Sequence, residues 1–285
     1  MVKTCMVLLD YLLRFIEEDA PTGDVTSAAV IPDITCDAVI RAEQEGIVAG
    51  LDEAALLFSH FGVSAKQLAK DGDTVCRNDS LIELSGDAKK ILLVERTALN
   101  IIGRMSGIAT LTRKIADIVS AVNPTCRVAA TRKTCPGFRL LDKKAVKIGG
   151  GDSHRMNLSD GILIKDNHLA LVPLGIAIQA AKKSTAYKKI EVEVETQKNA
   201  LIAAKAGADI IMLDNMSPEQ ITRTIRVLKR EGLRDRIIIE LSGGIDENFL
   251  TRYAALDVDV ISLGILTHSV RNLSVNLEII SQISP

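Results

Sequence analysis

Tryptophan is absent, and aromatic residues make up only 3% of the 285-residue chain. A core built from this sequence must be aliphatic, which suits packed α/β layers better than an aromatic stacking surface. Net charge is nearly absent too: 35 Lys and Arg against 36 Asp and Glu leave −1 at pH 7. A balance this close to zero excludes a general nucleic-acid or membrane-surface binder, so any anion site must be local. The five cysteines, Cys5, Cys36, Cys76, Cys126 and Cys135, are scattered, odd in number and form no CxxC pair. They give no zinc signature and fit a reducing, cytoplasmic setting. A membrane-spanning run is also missing. The apolar "MVLLDYLLRF" near the start is interrupted by Asp10 and Arg14 and followed at once by "EED". It is too short for a bilayer, has no small-residue cleavage site after it, and reads as a helix docked on a core.

Hydrophobic residues reach 47%, enough for one large domain or two modest ones. Before residue 105, strand-like pieces dominate, "CDAVIRAEQEGIVAG" and "GDTVCRNDSLIELSG", separated by the helical "LDEAALLFSHFG". Gly72-Asp73 and Asn78-Asp79 mark turns. A long helical stretch follows from Ala88 to Val122, with an interruption expected around Ser106-Gly107. After residue 125, six short β-rich runs alternate with helical ones: 126–131, 161–166, 189–195, 208–214, 236–242 and 258–264. Alternation of this kind predicts a parallel sheet with helices outside. A contribution near Lys147 would make seven strands. No GxGxxG follows the first run, against a dinucleotide fold. Arg132, Lys165, Asp214, Ser242 and Gly264 fall at the ends of runs, where a parallel barrel carries its chemistry. The tail from His268 is amphipathic and suited to return to the first domain.

The stretch "TRKTCPGFRLLDKKAVKIGGGDSHR" crowds cations beside a triple glycine. Arg132, Lys133, Arg155 and Lys165, converging with His154 on one barrel mouth, would suit a dicarboxylate or a multiply phosphorylated ligand. Lys143, Lys144 and Lys147 are expected on a solvated helix face. "LSGGI" (241–245) and "SLGILTHS" (262–269) are glycine turns placed to cradle phosphate. Glu191, Glu193 and Glu195 share one strand face. Together with Asp214 they offer carboxylates for Mg²⁺, for ribose hydroxyls or for structural ion pairs.

Taken in order, "GDVTS" (23–27), "ERTALN" (95–100), "TRKT.PG.R" (131–139), "GGG..HR..L" (149–158), "DGILIKDNH" (160–168), "EVEVE" (191–195), "DIIMLDNMSPE" (209–219), "SGGI" (242–245) and "SLGILTHS" resemble the quinolinate phosphoribosyltransferase family. The resemblance implies an α/β subunit with an N-terminal open-faced α/β sandwich, residues 1–107. An incomplete seven-stranded α/β barrel of the type II phosphoribosyltransferase kind, residues 108–268, would follow. The tail 269–285 would return to the first domain.

The implied reaction joins quinolinate to phosphoribosyl pyrophosphate and gives nicotinate mononucleotide, pyrophosphate and CO₂. It needs Mg²⁺ and serves NAD biosynthesis in the cytoplasm. A homodimer with shared active sites is implied, with a higher oligomer of dimers as an extension. By the same resemblance Arg132, Arg155 and Lys165 bind quinolinate, Thr131, Lys133 and His154 line its pocket, and Arg96 reaches in from the other subunit. Lys133, Glu193 and Asp214 are the expected catalytic groups, the two acids near ribose and metal, directly or through water. Ser242, Gly243, Gly244, Gly264 and His268 match the phosphate loops. Position 153 is Ser where many members have Asn. Three other readings stand beside this one: a molybdenum-transport-associated homologue with a different acceptor, a barrel lyase forming a Schiff base on Lys165, and a non-catalytic anion-binding subunit.

Overall fold

The computed structural model describes residues 2–245 and 247–283; Met1, Asp246, Ser284 and Pro285 fall outside it, as do the side chains of residues 2–6, Cys5 among them, and of 248, 282 and 283. The chain divides into one unit of residues 1–111 with 270–285, and a second of residues 112–269.

The first unit contains α1 (Val2–Asp19), α2 (Val25–Val30), β1 (Thr35–Ala42), β2 (Gly46–Ile47), α3 (Leu51–His60), β3 (Ser64–Gln67), β4 (Thr74–Val75), β5 (Ser80–Asp87) and the start of α4 (Ala88–Val122). Its four-stranded antiparallel sheet has the order β12-β1-β5-β3, where β12 is Val275–Ile283, and β2 pairs with β4. Thus the tail returns as an edge strand on β1, with Ala42 opposite Val275. The helix read from "MVLLDYLLRF" forms, and Leu12 and Ile16 bury against the core.

Helix α4 runs without a break through Ser106 and Gly107, where an interruption was expected. The small residues there serve close approach. Ser106 Oγ accepts from the amide of Ala49 at 2.9 Å, and a Cβ on Gly107 would collide with the carbonyl oxygen of Arg271.

The second unit holds β6 (Arg127–Ala129), α5 (Arg139–Ile148), β7 (Ile162–Ile164), α6 (Asp166–Leu169), α7 (Leu174–Ser184), β8 (Ile190–Val194), α8 (Gln197–Ala206), β9 (Ile210–Asp214), α9 (Pro218–Arg230), β10 (Ile238–Ser242), α10 (Leu250–Ala254), β11 (Val260–Ser262) and α11 (Ile265–His268). The strands form one parallel sheet in the order β6-β11-β10-β9-β8-β7. The region near Lys147 is helical. What stands in a seventh strand's place is a single parallel bridge between Ala129 and Asp152. This is the barrel-type α/β fold with its sheet left open.

Period-2 alternation sorts the strand residues. Val192, Val194, Ile211, Leu213, Ile239, Leu241 and Ile261 are all at most 3% exposed and form the aliphatic layer. Their neighbours Glu193, Met212, Asp214, Glu240, Ser242 and Ser262 line one common cavity instead. A closed barrel normally fills its interior with branched apolar side chains; this open sheet presents carboxylates and hydroxyls on the corresponding face.

Candidate active site

Two adjoining cavities open at the C-terminal ends of the strands. The first, about 380 Å³, is lined by Thr131, Arg132, Lys133, His154, Arg155, Lys165, Glu193, Asp214, Glu240 and Ser242 among others. The second, about 800 Å³, is lined by Gly243, Gly244, Gly264 and His268, and shares Lys133, Asp214 and Ser242 with the first. Of the residues singled out in the sequence for the barrel site, all but Glu191 and Glu195 therefore lie on one wall or the other; Glu191 is buried and Glu195 exposed. Arg96 is not among them; it is an exposed residue of α4 in the first unit.

Local chemistry explains the placements. Asp214 and Ser242 end adjacent strands and are register partners. Lys165 follows β7 directly, and its Nζ reaches Oε2 of Glu193 at 3.2 Å. The Nε of Arg132 is buried and meets no acceptor among the described residues, as suits a donor aimed at an anionic ligand. Lys133 is tethered through its carbonyl oxygen, which accepts from Thr267 Oγ1 at 2.8 Å.

The phosphate-type loops meet at Asn215, a residue the sequence reading passed over. Its backbone is left-handed (φ 51°), a conformation that asparagine tolerates better than most residues. Its Nδ2 donates to Asp214 Oδ2 at 2.6 Å, and its Oδ1 accepts from the Gly244 amide at 3.4 Å. The acid is thereby tied to the glycine loop.

A buried triad lies at the level of Glu240. His154 Nε2 stands 3.5 Å from Glu191 Oε2 and 3.4 Å from Glu240 Oε2. Both carboxylates are nearly fully buried. Burial works against the imidazolium, but the two carboxylates outweigh it and raise His154 to about 9. Glu191 is raised, chiefly by burial. The three ligand-type atoms lie within 4.8 Å of one another. However, the position between nitrogen and carboxylates is one the histidine holds as a proton donor, so the set suits a proton better than a hard cation.

Glu240 was not among the expected residues. Its signal is a lone charge inside the apolar run "RIIIELS", two residues before Ser242 and so on the same face.

Lys143 departs furthest from expectation. Instead of lying on a solvated face it is fully buried, and its Nζ donates to the carbonyl oxygens of Ser153 and of Arg155, the latter at 2.8 Å. Only Lys147 of the three is exposed, and Lys144 is half-buried. The contact that Lys143 makes at position 153 uses the main chain and so does not depend on the side chain there.

Comparison with known proteins agrees with this geometry. Residues 24–106 match the quinolinate phosphoribosyl transferase N-terminal domain, and residues 108–278 match the C-terminal domain. A probable carboxylating nicotinate-nucleotide pyrophosphorylase from Methanothermobacter thermautotrophicus is 44% identical, over 95% of this chain and 99% of that protein. One of the same description from Archaeoglobus fulgidus is 45% identical, over 91% and 99%. Among solved structures, NadC from Streptococcus pyogenes superimposes with a TM-score of 0.88 at 36% identity, covering 96% of each chain. The nicotinate-nucleotide pyrophosphorylase of Francisella tularensis does so with 0.89 at 34%, again covering 96% of each. The chain belongs to the quinolinate phosphoribosyl transferase family.

Proposed function

We propose that this protein is a carboxylating nicotinate-nucleotide pyrophosphorylase, a pentosyltransferase that joins quinolinate to phosphoribosyl pyrophosphate and releases pyrophosphate and CO₂ on the way to NAD. The observation that carries the reading is the convergence of Arg132, Lys133, Arg155 and Lys165 on the 380 Å³ cavity, beside a second cavity edged by Gly243, Gly244 and Gly264. A dicarboxylate fits the first wall and a phosphorylated sugar the second. Lys165 is paired with Glu193 rather than set in apolar surroundings, which speaks against a Schiff-base nucleophile.

Arg132, Arg155 and Lys165 hold the two carboxylates by charge-assisted hydrogen bonds, with Thr131 and His154 completing the wall. The glycine loops, Ser242 and His268 take phosphate through main-chain N–H groups and side-chain donors. Glu193 and Asp214 are the hard-oxygen pair that would hold Mg²⁺ together with substrate phosphates. The chemistry such an ion would supply there is neutralisation of charge on the pyrophosphate.

As pyrophosphate leaves, positive charge develops on the ribose, and the carboxylates of Glu193 and Asp214 stabilise it directly or through ribose hydroxyls. Lys133, common to both cavities, balances charge on the leaving group. The pyridine nitrogen bonds to C1 of the ribose as the bond to pyrophosphate breaks. The neighbouring carboxylate then departs as CO₂, and the electron pair it leaves stays on the ring carbon, stabilised by the adjacent cationic nitrogen, until that carbon takes up a proton from solvent. No step requires a covalent bond to the protein. The protein acts in the cytoplasm as a homodimer, Arg96 of one subunit completing the site of the other. Among the described residues no helix is long and apolar enough to cross a membrane.

The test is product identity. Protein, Mg²⁺ and phosphoribosyl pyrophosphate are incubated with quinolinate or with nicotinate, and the nucleotide formed is identified. Quinolinate should be strongly preferred, because losing one carboxylate leaves cavity donors without an acceptor, among them the buried Nε of Arg132. Comparable turnover of the two acids overturns the reading.

A further inference from the structure

Lys143 has no part in the steps above, yet it is among the largest fully buried side chains in the protein. Burying an ammonium is costly unless donors and charge are satisfied. Here burial first, then Arg139 and Arg132, push its pKa down to about 8, against the opposing pull of Asp152 and Asp160. A leucine or methionine at this position of α5 would have filled the same space without that cost. Something must be gained from the amine itself.

Its two acceptors show what. The carbonyl oxygens of Ser153 and Arg155 flank His154, and both turn to the same Nζ. They can do so because His154 is in the left-handed region (φ 54°), a conformation disfavoured for a residue with a side chain. The His154 amide is fixed by Asp152 Oδ1 at 3.0 Å, and Arg155 Nη1 reaches the carbonyl oxygen of Gly161 at 3.5 Å. One buried amine therefore holds the two peptide units that aim His154 and Arg155 into the cavity. Lysine suits this role: three donors, no acceptor, and a stem long enough to reach the loop from a helix.

We propose that Lys143 is a positioning residue for recognition of the dicarboxylate substrate, acting through the backbone on either side of His154. The proposal rests on the reading that His154 and Arg155 meet quinolinate. Its reach is selective. The phosphate-type loops at Gly243 and Gly264 come from β10 and β11 and share no hydrogen bond with Lys143 among those described. Loss of the latch should loosen one substrate and spare the other.

The experiment compares Lys143→Met, Lys143→Gln and Arg155→Ala in the full-length protein. Steady-state KM is measured for quinolinate and for phosphoribosyl pyrophosphate, with melting curves as a check on folding. Lys143→Met should raise the KM for quinolinate about tenfold or more while that for phosphoribosyl pyrophosphate changes by less than about threefold. Lys143→Gln, which keeps N–H donors, should fall between it and the parent. A folded Lys143→Met protein with unchanged quinolinate KM, or with both KM values raised alike, overturns the proposal. Arg155→Ala separates the two readings. If it leaves quinolinate KM unchanged, the carboxylate site itself is misassigned, and the proposal falls with it. If it raises KM and folded Lys143→Met does not, only the latch fails. Should neither Lys143 variant fold, ¹⁵N-lysine spectra of the parent protein decide. The Lys143 ammonium signal should move on adding quinolinate and not on adding phosphoribosyl pyrophosphate, and a signal indifferent to quinolinate overturns the latch.

Discussion

Lys165 Nζ lies 3.2 Å from Glu193 Oε2, linking the first residue after β7 to the inward face of β8. The lysine side chain is 43% exposed and the carboxylate 15%. A pair this open to water adds at most about 1 kcal/mol to stability, so its worth lies in holding two charges ready at the mouth. Glu193→Gln should leave the melting temperature nearly unchanged and lower kcat by about 10²–10³, the usual cost of one well-aimed electrostatic group. Asp214→Ala should do the same. Steady-state kinetics beside thermal melts check both; a variant that melts early and keeps its turnover would reverse the assignment.

The second expectation concerns His154 and pH. The carboxylates of Glu191 and Glu240 raise it to about 9 against burial. A base whose folded pKa is raised contributes stability that is complete below its ordinary value of 6.5 and is lost as pH climbs through about 9. Lys143 runs the other way: burial depresses its pKa to about 8, so its ammonium costs stability below that value and the cost fades as pH rises. The wild-type slope therefore mixes opposite signs. The clean measurement is Glu240→Gln against the parent between pH 6 and 10, where the parent's advantage should shrink as pH rises. Only four histidines are present, so an NMR titration can follow His154 directly, and its midpoint should fall in the variant.

Gly243 carries the third. Its φ is +105°, and an added Cβ would press on Asn215, with the amide nitrogen at 2.8 Å. Alanine there would strain the loop on the order of 1–3 kcal/mol and displace the residue that ties Asp214 to Gly244. The KM for phosphoribosyl pyrophosphate should rise about 5- to 150-fold, the same energy read as affinity, with that for quinolinate little altered. A selective loss of quinolinate affinity would mean that the two cavities have been assigned the wrong way round.

Arg96 supplies a fourth. It stands on α4, outside the walls of both cavities. If it serves a partner's site, Arg96→Ala and Lys165→Ala should each be inactive alone and recover activity when mixed and refolded. One site of each mixed dimer then carries both lesions and the other neither. Mixed dimers that form and stay inactive would rule out sharing.

The barrel strands were legible because each is a short apolar run followed by a polar residue, and "EVEVE" shows its inward face by alternation alone. The two glycine loops were legible for the same reason, coming at strand ends. Lys143 was not. In "LDKKAVK" it is one of three lysines in five residues, and nothing local separates it from Lys147. It is buried because a loop ten residues further on folds back with two carbonyl groups turned towards it, a tertiary fact. Ser106-Gly107 misled in the opposite sense: small residues resemble a helix break in sequence, but here they let another segment of chain approach an unbroken helix. Asn215 and Glu240 lay in plain view as polar residues at or within strands, and needed only the inward face to be followed one strand at a time.

Cys135 provides the sharpest test of a mechanism without a covalent intermediate. It sits inside "TRKTCPG", next but one to Lys133, where a nucleophile would be sought first. In the structure it is exposed and lines neither cavity. Its sulfur has one described partner, the carbonyl oxygen of Pro136 at 3.6 Å. Cys126 is no better placed: burial raises its thiol to about 11. Cys135→Ser should therefore keep turnover within about twofold of the parent, because removing an uninvolved surface group leaves the electrostatic stabilisation intact. Side-by-side kinetics with Glu193→Gln make the comparison. A well-folded Cys135→Ser protein as inactive as the acid variant would require a bond between protein and substrate that the present geometry does not provide.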